Sequence, residues 1–138
     1  MDERGTDREL VAAFDELIEA AHEARQAEWI EPRGPRRDAL DALFAFVRVS
    51  AANLADAEAA MFGRSPDMVS PSEQTKRNLI ADAHDDPDAV IPLLIERVEG
   101  VAAALRTRAA RIEDSAMAEE LREIADGLDT HTEQLAST

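Results

Sequence analysis

Apolar residues recur along most of the chain at spacings of three and four, the period of an α-helix that buries one face. The first such stripe consists of Leu10, Val11, Phe14, Leu17, Ile18 and Ala21. It follows Thr6 and Glu9, whose spacing is that of a capping box at the start of a helix. A helix is therefore predicted from Thr6 to about Trp29. Pro32, Gly34 and the proline after it predict its end, because these residues do not continue a helix.

The rest of the chain shows the same period between clear breaks. Four further helices are predicted, over residues 36–62, about 71–84, about 88–112 and 115–135. The short one opens with a second capping box at residues 70–73, and Ser115 is the predicted cap of the last. Pro92 lies inside the fourth pattern, where it either bends the helix or marks its first residue.

Short turns between helices of similar length favour antiparallel neighbours. The predicted fold is therefore all-α: an antiparallel up-down-up-down four-helix bundle with one short additional helix, in a single domain over residues 1–138. Alanine is abundant and aromatic residues make up 4% of the chain, which is helix composition. Alanine-rich faces bury little apolar area within one chain, so we expect a homo-oligomer or another protein as partner. Trp29, one turn from a loop, is predicted to cover the core.

The charge balance restricts the partners. Asp and Glu number 30 against 15 for Lys and Arg, the net charge is −15, and Lys76 is the only lysine. Such a surface repels nucleic acid and anionic membranes. It is also typical of proteins in a salt-rich cytoplasm, where charge repulsion is screened, although a GC-rich genome alone also favours arginine over lysine. No signal peptide or apolar stretch of about 20 residues is present, so a cytoplasmic location is predicted.

Two polar residues, Glu58 and His131, interrupt otherwise apolar stripes. In an up-down-up-down bundle each lies about one turn from the same end, so the two could share a layer, with His84 nearby. A carboxylate and imidazoles inside a helical bundle can bind a divalent metal or transfer a proton. A half-buried ion pair, which would raise the pKa of His131, is the structural alternative. The chain has no cysteine, so thiolate metal sites are excluded.

A second set of candidate residues lies in the short helix. Arg77 is followed by Asn78 and, seven residues after the arginine, by His84. This segment resembles the Arg–(four to six residues)–His signature of HEPN-type helical ribonucleases. The resemblance covers about eight residues and an all-α fold. It implies that Arg77 binds the scissile phosphate and that His84 acts as acid–base. A surface helix whose C-terminal histidine interacts favourably with the helix dipole is the alternative.

The leading functional hypothesis is a non-catalytic, salt-adapted helical bundle that acts through protein–protein interaction or homo-oligomerisation. It depends on amphipathic stripes and solvated acidic faces. There are two alternatives. One is a HEPN-like ribonuclease that uses Arg77 and His84, and the other is a carboxylate–histidine metal-binding bundle that uses Glu58 and His131. Whether the protein is an enzyme therefore stays open. No cofactor is predicted apart from that possible divalent metal.

Overall fold

The computed structural model describes residues 3–63 and 78–138, and within these two ranges the chain forms helices and no strands. The helices are α1 (Glu3–Ile30), α2 (Pro35–Phe62), α3 (Leu79–Asp82), α4 (Pro87–Arg111) and α5 (Ser115–Ala136). The expected all-α bundle of four long helices and one short helix is confirmed.

Two predicted helix starts are displaced by a few residues. The helix that was expected to begin at Thr6 already includes Glu3, and Thr6 is buried within it. At the last helix the cap is Asp114 rather than Ser115, because the Asp114 carboxylate accepts a hydrogen bond of 3.0 Å from the backbone N–H of Met117. The shift at α5 shows how adjacent polar residues compete for the same capping role.

The N-cap of α4 shows that Pro92 is not the first residue of this helix. Asp86 accepts a hydrogen bond of 3.0 Å from the backbone N–H of Asp88, and Pro87 occupies the first turn. The helix therefore begins before Pro92, which lies inside it and is exposed. Since proline has no N–H, the carbonyl of Asp88 lacks its helical donor at this point.

α1 and α2 form an antiparallel hairpin. The guanidinium of Arg25, late in α1, lies 4.1 Å from the centre of the Phe44 ring, early in α2. At the other end Asp15 of α1 acts electrostatically on Glu58, late in α2. Residue numbers thus fall along one helix as they rise along the other.

α1 and α4 are also antiparallel. Arg97, in the first half of α4, forms an ion pair with Glu23 of α1. Arg108, near the end of α4, lies 2.9 Å from Glu9 at the start of α1. α4 therefore runs in the same direction as α2, and α5, which returns after the short turn at residues 112–114, runs in the same direction as α1.

The order of directions along the chain differs from the expected alternation. Every pair of long helices in contact, α1–α2, α2–α5, α5–α4 and α4–α1, is antiparallel, but the chain runs up, down, down and up. The reason is the connection between α2 and α4. α2 ends beside the start of α1, whereas the N–H of Leu79 donates a 2.7 Å hydrogen bond to Gln26 near the opposite end of α1.

Of the short helix predicted over residues 71–84, the structure describes residues 78–84, which contain α3. It begins at Leu79, and Asn78 caps it by accepting a hydrogen bond of 3.1 Å from the backbone N–H of Ala81. The chain leaves the helix through His84 and Asp85, both in the left-handed region at φ 56°. The predicted capping box at residues 70–73 lies outside the described residues.

The core draws large apolar side chains from each long helix and alanines from α1 in particular. The fully buried large side chains are Leu10, Phe14, Leu17, Leu40, Leu43, Leu54, Leu79, Leu94, Leu105, Leu121, Leu128 and Leu135. Between α2 and α5 the Phe46 ring packs over Gly127, where a Cβ atom would lie 2.1 Å from the ring Cζ. Across the described ranges, no helix has the combination of length and apolarity that crossing a bilayer demands.

Candidate functional site

Glu58 is a buried carboxyl group in the second-last turn of α2. Its exposed fraction is 2%. Burial raises the pKa of Glu58 above its usual range, and the negative charge of Asp15 on α1 raises it further. Both effects disfavour the carboxylate form of Glu58 relative to the protonated acid.

His131 lies in an aromatic contact on α5. Its ring centre is 4.9 Å from that of Phe46 on α2, at an interplanar angle of 36°. The Nδ1 atom is buried and makes no hydrogen bond with the described residues. Burial lowers the pKa of His131, whereas an ion pair with a carboxylate would raise it.

Glu58 and His131 do not share a layer of the bundle, which corrects the proposed two-residue site. His131 is level with Phe46, and Phe46 and Glu58 are 12 positions apart on α2. At 1.5 Å per residue, this places the two groups about 18 Å apart along the helix axis. The expectation was wrong because it assumed that the last helix runs parallel to α2, whereas α5 runs antiparallel to it.

Metal ligands do not cluster in the part of the chain that the structure describes. Within residues 3–63 and 78–138, no group of three or more His, Asp or Glu side chains is arranged to hold a metal ion. A divalent metal bound by Glu58 and His131 together would need both side chains in one layer, which the helix directions prevent.

Of the ribonuclease-like pair, the structure describes only the histidine. His84 is exposed on the left-handed turn after α3, next to three aspartates. Arg77 lies outside the described residues. Asn78, the residue that follows the arginine in the signature, is engaged as the cap of α3. The catalytic role of Arg77 and His84 therefore stays a prediction.

Partly buried ion pairs on the α1–α4 interface are the polar feature that the sequence analysis missed. Arg97 bonds to Glu23, which is 2% exposed, and its second amino group lies 2.6 Å from Asp82 on α3. Arg108 bonds to both Glu9 and Glu16 of α1, with its Nε atom 2.7 Å from Glu16.

The spacing of these residues in the sequence could have predicted the α1–α4 ion pairs. Glu9, Glu16 and Glu23 recur every seven positions and so lie along one face of α1. Arg97 and Arg108 are eleven positions apart, about three turns, and lie along one face of α4. Two faces of opposite charge predict an interface, and in this case they also set its antiparallel direction.

A surface groove of about 390 Å³ lies over the same interface, lined by Glu16, Glu19, Ala20, Glu23, Glu96, Arg97, Gly100 and Val101. The cation in it, Arg97, is bound by Glu23 and Asp82. Its guanidinium is therefore occupied by carboxylates of the same chain and is poorly placed to bind an anionic ligand.

Besides Glu58 and Asp15, another two acidic side chains lie close together near the α1–α2 turn. Glu28 is 6% exposed and shares a side-chain hydrogen bond with Asp41. Burial raises the pKa of Glu28 most, and the hydrogen bond and charge of Asp41 add to this, while Arg25 and Arg37 act in the opposite direction.

Among the described residues, the exposed large apolar side chains are Trp29, Ile30, Val49 and Met61. Trp29, near the end of α1, is 72% exposed, so the expectation that it covers the core is wrong. Val49, in the middle of α2, is 60% exposed. From Ala42 to Ala55, α2 contains a single charged residue, Arg48. The middle of α2 is thus less charged than the chain as a whole, of which 33% is charged.

Comparison with known proteins adds no assignment to this geometry. No known protein family matches the chain, and no curated protein matches it in sequence.

Proposed function

We propose that the protein is a non-catalytic helical bundle that acts by protein–protein association, first of all with a second copy of itself, in a salt-rich cytoplasm. The observation that supports this is the outward face of α2. It exposes Val49 and a series of alanines on a chain whose net charge is −15. Association through α1 or α5 would bring more carboxylates of two such chains together, because each of these helices contains more Asp and Glu residues than α2 does.

The salt adaptation is supported by how the arginines are used. Arg97, Arg106 and Arg108 each contact two carboxylates. Even so, acidic residues outnumber basic ones two to one over the chain. The remaining carboxylates repel one another, and dissolved salt reduces that repulsion.

Light scattering coupled to size exclusion tests the proposal. We expect a dimer in about 1–2 M KCl, and a shift toward monomer as salt is lowered to about 0.1 M, because repulsion between two acidic chains is screened within a few Å at high salt. A strict monomer at every salt and protein concentration would contradict self-association.

A catalytic function would be detected in separate assays. Cleavage of RNA by the purified protein that is lost in the variant His84→Ala would show that the protein is a ribonuclease and would overturn the non-catalytic proposal. Retention of cleavage in that variant would point to a contaminating nuclease and leave the proposal standing.

A further inference from the structure

Small residues line the outward face of α2. Ala45, Ala52 and Ala59 are seven positions apart, so at 100° per residue they lie within about 20° of one line along the helix. All three are exposed or half-buried. Short side chains at this spacing allow a second helix to approach closely, but they do not by themselves indicate which helix binds there.

Two charged residues on the same face supply that information. Arg48 precedes Ala52 by four positions and Asp56 follows it by four, and both lie within about 40° of the alanine line. Within the described ranges neither side chain takes part in an ion pair, in contrast to Arg97, Arg106 and Arg108. The face therefore carries one free cation and one free anion, placed symmetrically about a small residue.

We infer that a second copy of this chain binds along α2, with the two α2 helices antiparallel and related by a two-fold axis at Ala52. This inference rests on the proposed self-association. A two-fold axis brings each residue before the axis next to the residue equally far after it in the other copy. Arg48 then meets Asp56 of the second copy, and Ala45 meets Ala59 of the second copy, each contact occurring twice.

The symmetry explains why this face suits a second copy in particular. The pattern of charge is its own complement only when read in the opposite direction, which an antiparallel copy provides. Parallel pairing in register would place Arg48 against Arg48 and Asp56 against Asp56, and like charges that face each other oppose association.

The predicted interface is small, and its strength follows from its size. From Ala45 to Ala59 it is about 21 Å long, or four helical turns. Exposed ion pairs contribute little each, and the interface is below the area of a standard stable complex, so we expect a dissociation constant in the micromolar range. Salt screens both the repulsion between the two acidic chains and the attraction within the two Arg48–Asp56 pairs. The repulsion involves the charge of both whole chains and is the larger effect, so salt strengthens the dimer.

A charge-swap experiment tests the pairing. Sedimentation equilibrium in about 1 M KCl should show that Arg48→Glu and Asp56→Arg each weaken the dimer by about threefold, because each replaces two weakly attractive contacts by two weakly repulsive ones. The double variant Arg48→Glu/Asp56→Arg should restore the wild-type dissociation constant. Arg122→Glu, an equal charge change at a half-exposed position on α5, serves as the control and should leave association unchanged.

Cross-linking tests the axis directly, since the chain has no cysteine of its own. In the variant Ala52→Cys the two thiols meet at the two-fold axis, so oxidised glutathione should produce a disulfide-linked dimer. Ala103→Cys, at an exposed position on α4, is the matched control and should stay monomeric on a denaturing gel.

The outcomes separate the inference from the proposal on which it rests. A wild-type dimer that is unaffected by both single charge variants, or that cross-links no better through residue 52 than through residue 103, overturns the α2 interface while self-association stands. A wild-type monomer under all conditions overturns both. Circular dichroism of each variant shows that the substitution at the surface leaves the fold intact.

Discussion

Replacement of Gly127 by alanine should destabilise the bundle, although alanine is the better helix former. The new Cβ would lie 2.1 Å from Cζ and 2.7 Å from Cε1 of Phe46, whereas carbon atoms in contact are normally about 3.5–4.0 Å apart. The Phe46 ring must therefore move by about 1.5 Å, which also disturbs its contact with His131.

The magnitude follows from two opposing effects. Overpacking of this kind costs about 1–3 kcal/mol. Alanine in place of glycine within a helix contributes about 1 kcal/mol in the stabilising direction. For Gly127→Ala we therefore expect a net loss of about 0–2 kcal/mol in the free energy of unfolding.

Gly100 provides a matched control. It also lies within a long helix, but a Cβ there would meet nothing within 4 Å. Gly100→Ala should thus stabilise the protein by about 0.5–1 kcal/mol. Urea unfolding followed by circular dichroism measures both variants, and the contrast of about 1–3 kcal/mol between them is the cost of the Phe46 contact.

A double-mutant cycle identifies the cause. With Phe46→Ala in the background the obstacle is gone, and Gly127→Ala should become stabilising to the same extent as Gly100→Ala. If Gly127→Ala stabilises the otherwise wild-type protein as much as Gly100→Ala does, the close packing of α2 on α5 through Phe46 is refuted.

Three further predictions concern pH and salt. Because the folded-state pKa of Glu58 is raised, its contribution to stability is present below about pH 4.5 and is lost as pH rises. Glu58→Gln should therefore raise the melting temperature at pH 7 and have no such effect below pH 4. The folded-state pKa of His131 is lowered, so stability is lost as pH falls below about 6.5; His131→Phe should remove this loss in melts between pH 7 and 5. For the wild type, the melting temperature should rise between about 0.1 and 2 M KCl as acidic repulsion is screened, and a flat response would contradict salt adaptation.

The helices themselves could be predicted from local patterns. Apolar spacing located each of the long helices to within a few residues, because one turn of helix involves only near neighbours in the chain. One error arose where two polar residues stand side by side: Asp114 rather than Ser115 caps α5. The choice between adjacent caps is a matter of small free-energy differences.

The same local pattern marked Glu58 and His131 as polar residues on apolar faces, and the structure buries both at least in part. What it could not predict was their surroundings. Glu58 lies near Asp15, and His131 stacks on Phe46, so burial shifts the pKa of each group without any contact between them.

The direction of α4 and α5 is the property that only the tertiary structure decided. Helical periodicity indicates which face of a helix is buried, but it is unchanged when the helix is turned end for end. The direction depends on contacts between residues far apart in the chain, such as Arg97 with Glu23 and Arg108 with Glu9, and on where the α2–α4 connection begins and ends. Composition and spacing were therefore enough to establish a bundle of amphipathic helices. Which polar groups meet within it was decided by packing between segments that share no local signal.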